Sequence, residues 1–152
     1  MTTIPSSAID KNLDAACASV SHEIARTDGK ASLLLAFNGA VLAGLSSVAD
    51  KDLPITAKVI GALAVLTLSG AAVLLLLVVR PRLGGTDHDS FPHWAGLDDQ
   101  QIRSCMDSDR RTARVRVLST LAVRKYIHLR RAVDLSLAAL ALLALAGTSL
   151  VL

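Results

Sequence analysis

The chain has 152 residues, of which 52% are hydrophobic, 3% aromatic and 19% charged, with a formal net charge of +3. So apolar a composition excludes a disordered chain, and so few aromatics are untypical of a water-soluble core. The length gives room for one ordinary domain.

The charges are unevenly placed. Ala31 to Val48, Val59 to Val79 and Leu135 to Leu152 are runs of 18, 21 and 18 residues with none. As helices they extend roughly 27 to 32 Å, about the thickness of a bilayer's hydrocarbon core. The sequence therefore predicts an all-α integral membrane protein with three transmembrane helices. Lys and Arg number three before the first span (Lys11, Arg26, Lys30), two between the first and second (Lys51, Lys58) and eleven from Arg80 to Arg131. Basic flanks stay in the cytoplasm, so the N-terminus and the long second loop are expected inside, in a multi-pass arrangement. No cleavable secretory signal is expected, because no apolar run follows a basic N-terminus within the first 30 residues.

In chain order, residues 1–29 read as a cytoplasmic amphipathic helix. Ile9, Leu13, Ala16, Cys17, Val20 and Ile24 recur at spacings of three and four, with a short break at Thr27, Asp28 and Gly29. Residues 30–79 read as a transmembrane hairpin (31–48 and 59–79) turning near Pro54. Asn38, a polar residue inside the first span, is expected to face another helix. Ala36, Ala40 and Gly44 make a small-residue ridge suited either to self-association or to packing within one molecule.

Residues 80–97 read as a cytoplasmic loop and 98–134 as a cytoplasmic helix, started by an Asp98–Gln101 capping box and continuous with the third span, 135–152. That helix has two apolar rows. One holds Ile102, Met106, Ala113, Val117, Thr120 and Leu121; the other holds Val115, Leu118, Ala122, Tyr126, Leu129 and Val133. Partners on more than one face follow: the N-terminal helix, and a second copy of the chain. Arg103 with Asp107, and Asp107 with Arg111, are spaced as intrahelical ion pairs.

Chemistry-bearing residues collect where the first and third membrane helices leave the bilayer on the inside. Arg26 and Lys30 share a face, Arg124, Lys125, Tyr126, Arg130 and Arg131 approach the same level, and Asp28 and Asp134 lie there too. This basic collar has three readings: interhelical pairing, attraction to anionic lipid headgroups, and recognition of a phosphorylated ligand. Positive flanks accompany any inside loop. The ligand reading draws on Tyr126, a platform for a base beside arginines that would hold a phosphate.

Elsewhere the residues offer less. His88 and His93 with Asp87 and Asp89 only loosely resemble a metal cluster, and a polar loop explains them. Gly84 and Gly85 lack the surroundings of a phosphate loop. Phe91 and Trp94 suit either a headgroup anchor or packing on the cytoplasmic helices. His22 and His128 read as surface or interface residues. Cys17 and Cys105 lack CxxC spacing and fall on the reducing side, so neither a disulfide nor zinc is expected. No nucleophile has its base within a known motif, so no enzyme is expected. No resident cofactor, metal or nucleic-acid partner is expected. No charge lies within a span, so no selective ion pathway is indicated.

The stretch from Arg26 to Gly39, with its Arg-x-Asp-x-Lys-Ala pattern, resembles the approach to the first membrane helix in the transmembrane effectors of Pycsar antiphage systems, small bacterial membrane proteins. The resemblance continues in order at Arg80 to Gly85, at Ser90 to Trp94, and at Lys125, Tyr126, Leu129, Arg130 and Ala132. It implies a plasma-membrane effector in a bacterial cell. A companion cyclase makes a cyclic pyrimidine nucleotide, cCMP or cUMP, on infection, and the effector then impairs membrane integrity so that growth stops. Carried onto this chain, the positions that match the pattern are Arg26, Asp28, Lys30, Lys125, Tyr126 and Arg130, all members of the collar; with Arg124 they form the candidate ligand site. The alternative is a structural membrane subunit of a plasmid or mobile-element transfer system, acting by docking of its cytoplasmic helix.

Overall fold

The computed structural model describes residues 6–49, 51–81, 91–106 and 109–149. Among these the chain is helical throughout, with α1 (Ser6–Ser46), α2 (Ile55–Val79), α3 (Phe91–Trp94), α4 (Asp99–Met106) and α5 (Arg111–Thr148), and no strand. The helices contribute to two compact units. The first is Met1–Arg26 with Pro81–Arg124, and the second is Thr27–Arg80 with Lys125–Leu152.

The second unit is a three-helix bundle. Its buried positions in α2 are Ala57, Ala64, Leu68, Ala71, Leu75 and Val78, and in α5 they are Leu129, Ala132, Ser136 and Ala139. Successive members are mostly three or four apart, the seam spacing of helices crossing at a shallow angle. At one end Ala31 of α1, Leu75 and Val78 of α2, and Leu129 and Ala132 of α5 form one buried cluster. Near the other end Gly44 of α1, Gly61 of α2 and Gly147 of α5 line a single apolar cavity of about 360 Å³. Space remains open around all three, because a Cβ at any of them would meet nothing within 4 Å. This pairing of ends makes α1 and α2 antiparallel, the expected hairpin, and lays α5 parallel to α1.

At mid-height a polar pair enters the seam, where Asn38 Nδ2 donates to Ser136 Oγ at 3.0 Å; both residues are buried, and Ser136 Oγ lies 2.9 Å from the Ala132 carbonyl. Asn38 thus faces another helix, as its setting in an apolar run requires.

Size is inverted in this bundle. Six of its buried residues are alanines, while Leu33, Phe37, Ile55, Leu66, Val73, Leu137 and Leu145 are turned outward, Leu33 74% and Ile55 81% exposed. Water-soluble proteins bury their large apolar side chains and rarely expose patches of this kind.

α1 (Ser7–Ser46) and α2 (Ile55–Val79) are long and apolar enough to cross a membrane; among the described residues these are two helices, not the expected three. The uncharged part of α5 described, Leu135 to Thr148, is about 21 Å long, short of a core of roughly 30 Å. Residues 150–152 of the expected span lie outside the described residues.

Two further boundaries differ from expectation. α1 is not broken at Thr27, Asp28 and Gly29 but continues through them as one helix of 41 residues. A glycine inside a helix costs only about 1 kcal/mol relative to alanine, and the neighbouring Thr27 and Ala31 are buried. The cytoplasmic helix, in contrast, is not continuous from residue 98: α4 ends at Met106 and α5 begins at Arg111. Asp109 Oδ1 accepts the Arg111 backbone N–H at 3.1 Å, an Asx turn that competes with helical hydrogen bonding.

In the first unit the Asp98–Gln101 capping box forms in both directions. Asp98 Oδ1 accepts the Gln101 N–H at 2.7 Å, and Gln101 Oε1 accepts the Asp98 N–H at 3.1 Å. The α1 stripe from Leu13 to Ile24 is half-buried, with Ile9 exposed. Of the two α5 rows, Val115, Leu118 and Ala122 are half-buried and Ala113, Val117 and Thr120 are exposed.

Asn38→Ala is expected to destabilise the bundle by about 1 kcal/mol, with a coupling to Ser136→Ala of about 0.6 kcal/mol, as for interhelical hydrogen bonds in membrane proteins. Unfolding of the purified protein in mixed detergent, run as a double-mutant cycle, measures both.

Candidate functional site

The chemistry of the second unit concentrates at the end that holds the Ala31 cluster. Lys30 precedes Ala31, Arg80 follows Val78 by two positions, Arg130 follows Leu129, and Arg131 precedes Ala132, so all three helices bring a cation to the rim of one buried cluster. With Lys125 they make five cations against two carboxylates, Asp28 and Asp134. The excess is an anion-attracting ring, and the guanidinium forks within it suit phosphate oxygens.

One contact organises this end. Lys125 Nζ of α5 donates to both oxygens of the Asp28 carboxylate of α1, at 2.6 and 2.7 Å. The side chains are 17% and 35% exposed, so the pair is half-buried and shielded from salt better than a surface pair. Helical spacing explains the meeting. Lys125, Leu129, Ala132 and Ser136 step along α5 by four, three and four, so Lys125 extends the buried seam into the polar end; Asp28 sits between Thr27 and Ala31, both buried.

Around this pair the expected site residues separate. Tyr126 and Arg130 follow the seam residues Lys125 and Leu129 by one position each and share one flank of α5, where both are exposed. Arg124 and Arg131, exposed as well, are turned to the opposite flank by the 100° step of the helix. Lys30 is exposed on α1. Arg26 lies in the first unit beside Glu23, in an exposed ion pair of 3.4 Å, and Arg124 also belongs to the first unit. The structure thus puts Asp28 and Lys125 in contact, with Lys30, Tyr126 and Arg130 at the same end of the bundle. Arg80 was not among the candidates read from the sequence; its position at the end of α2, next to the same exit level, was the available signal.

A second ionic centre was not foreseen either. In the first unit Arg111 at the start of α5 bonds Asp10 at 2.7 Å and Asp14 at 3.3 Å, and its Nε donates to Asp109 at 3.0 Å. The Cys17 thiol approaches the Arg111 carbonyl at 3.9 Å. Asp10 and Asp14 are four apart on one helix face, where two like charges repel unless a cation sits between them, and that spacing was the overlooked signal. Hydrogen bonds from the Arg111 side chain and backbone hold the Asp109 carboxyl below its usual value, and the Asp109 carboxylate raises Arg111 in return.

The weaker candidates divide. Asp87, His88, Asp89, Gly84, Gly85 and the Asp107 of the expected helix pairs lie outside the described residues. His93 and Trp94 are half-buried in α3, and the Trp94 indole nitrogen is itself buried within the first unit, which favours packing over a headgroup anchor. His22 is exposed and His128 half-buried. Cys17 and Cys105 are both half-buried. Ala36, Ala40 and Gly44 are exposed, and Gly44 at the same time lines the apolar cavity between α1, α2 and α5.

Compared with known families, residues 12–152 match the Pycsar effector protein domain, taking in most of both units. No curated protein and no solved structure matches the chain.

The Arg111 centre carries a pH prediction. Asp109 is depressed in the folded chain, so its contribution to stability is present above the ordinary aspartate value and is lost as pH falls through the lower, folded one. Arg111→Gln should lower the thermal midpoint near neutral pH. The gap from the unaltered protein should narrow as the pH falls below about 4, which a set of thermal melts followed by circular dichroism would read.

Proposed function

The chain belongs to the Pycsar effector family, and from that we propose that it is a membrane effector of bacterial antiphage defence, switched by cCMP or cUMP from a companion cyclase to a state that impairs membrane integrity. The carrying observation is the size inversion of the second unit together with the cationic ring at one of its ends. Leucines that face outward are at no disadvantage in hydrocarbon, where helices associate through small residues. Outward leucines occur on α5 as well as on α1 and α2. That supports a third span in α5, parallel to α1, with the ring at the cytoplasmic surface of the plasma membrane and the N-terminus inside.

At the ring, Lys30, Arg130 and Lys125 hold the phosphodiester, and Tyr126 offers its face to the pyrimidine. Binding alters the bundle only by favouring one helix arrangement over another. The outward ridge of Ala36, Ala40 and Gly44 is the surface through which copies associate. No bond is made or broken by the protein, and family membership favours this reading over the transfer subunit.

Dye-loaded liposomes carrying the purified protein should leak on addition of cCMP or cUMP and not with the linear monophosphates. Lys30→Ala or Arg130→Ala should raise the half-maximal nucleotide concentration about tenfold or more, the usual cost of one charged hydrogen bond. Equal leakage with and without cyclic nucleotide would exclude the reading.

A further inference from the structure

The contact between Asp28 and Lys125 occupies a cation that an incoming phosphate needs. Both carboxylate oxygens lie within 2.7 Å of the Lys125 ammonium. We propose that this ion pair is an autoinhibitory latch: Asp28 holds α5 against α1 in the resting bundle, and the anionic phosphate ester activates the protein by taking Lys125 away from it. The inference rests on the membrane-effector reading and adds how the site is regulated.

Three observations carry it. The pair lies on the seam itself, with Thr27 and Ala31 buried on the Asp28 side and Leu129 and Ala132 buried on the Lys125 side, so it ties α1 to α5 where the two helices pack. Among the described residues at this end, Lys30, Arg130 and Arg131 are exposed and Lys125 is the cation held in an ion pair with a carboxylate, so an added anion competes with Asp28 there. Finally, Asp28 is 35% exposed while paired, and an unpaired carboxylate wedged beside buried residues gains hydration only by turning away from the seam.

The thermodynamic requirement is met by the same geometry. A ligand shifts an equilibrium only through differential affinity for its two states. In the latched state Lys125 is engaged by Asp28; in the open state it is available to the phosphate, which therefore binds the open state better. A half-buried pair couples the helices more strongly than an exposed one and less than a fully buried one, which corresponds to a change of about tenfold in the closed-to-open ratio.

The test uses the full-length protein in dye-loaded vesicles without nucleotide. Asp28→Asn keeps the side-chain shape and removes its charge, and should raise basal leakage about tenfold. Asp28→Lys should leak similarly, and the charge-swapped pair Asp28→Lys with Lys125→Asp should be tight again, with unchanged helical content by circular dichroism in all variants. A tight Asp28→Asn protein, in vesicles where the unaltered protein opens with cCMP or cUMP, overturns the latch and leaves the effector reading standing. Leakage from Asp28→Asn where neither nucleotide opens the unaltered protein upholds the latch and removes the nucleotide as its trigger. Leakage from the swapped pair equal to that of Asp28→Lys overturns the latch by showing that opposite charge is not what closes the seam. If no protein leaks under any condition, both readings fall.

Discussion

The approach of helix backbones through alanine is the constraint on which the second unit depends. Ala31, Ala57, Ala64, Ala71, Ala132 and Ala139 are the residues that face inward, with Leu68, Leu75 and Val78 filling the space between them. Small side chains bring the helices close enough for dispersion to act along most of the interface. Three properties follow from close approach. Asn38 can reach across to Ser136, Asp28 can reach Lys125, and the bulky residues are left for the outer surface.

The two ionic centres of the chain differ in what their charges are worth. Arg111 meets three carboxylates, yet Asp14 and Asp109 are more than half exposed, so water and salt screen much of the attraction. Asp28 and Lys125 make one contact in a half-buried place, where a change of partner is felt by the packing around it. Counting ion pairs would rank the first centre higher. Burial ranks the second higher, and it is the second that shares its end of the bundle with the ring of cations.

What the sequence made legible was governed by local spacing. The Asp98–Gln101 box, the hairpin around Pro54 and the inward face of Asn38 all follow from patterns within a few residues or from the cost of a polar group in an apolar run. The missed features depend on pairing between distant segments. Interhelical pairing in the collar was among the readings of the sequence, but nothing near Asp28 in the chain singles out Lys125 as its partner, 97 positions away, and Arg111 meets Asp10 across 101. Arg26 and Lys30, read as sharing one face, are both exposed, while Asp28 at the same level turns to the seam. The break expected at Gly29 overweighted one residue's propensity against the packing of its neighbours, whereas the start of α5 was missed because it is marked by the Asp109 carboxylate accepting the Arg111 N–H rather than by Pro or Gly.

The cavity lined by Gly44, Gly61 and Gly147 makes the bundle mechanically unequal along its axis. At the charged end leucine, valine and alanine interlock; at the glycine end an open apolar groove of about 360 Å³ lies between the helices. Unfilled volume has no contacts to lose, so tilting or spreading of the helices meets least resistance there. A disturbance applied at the stiff end is therefore transmitted as by a lever whose free arms are the glycine-bearing segments.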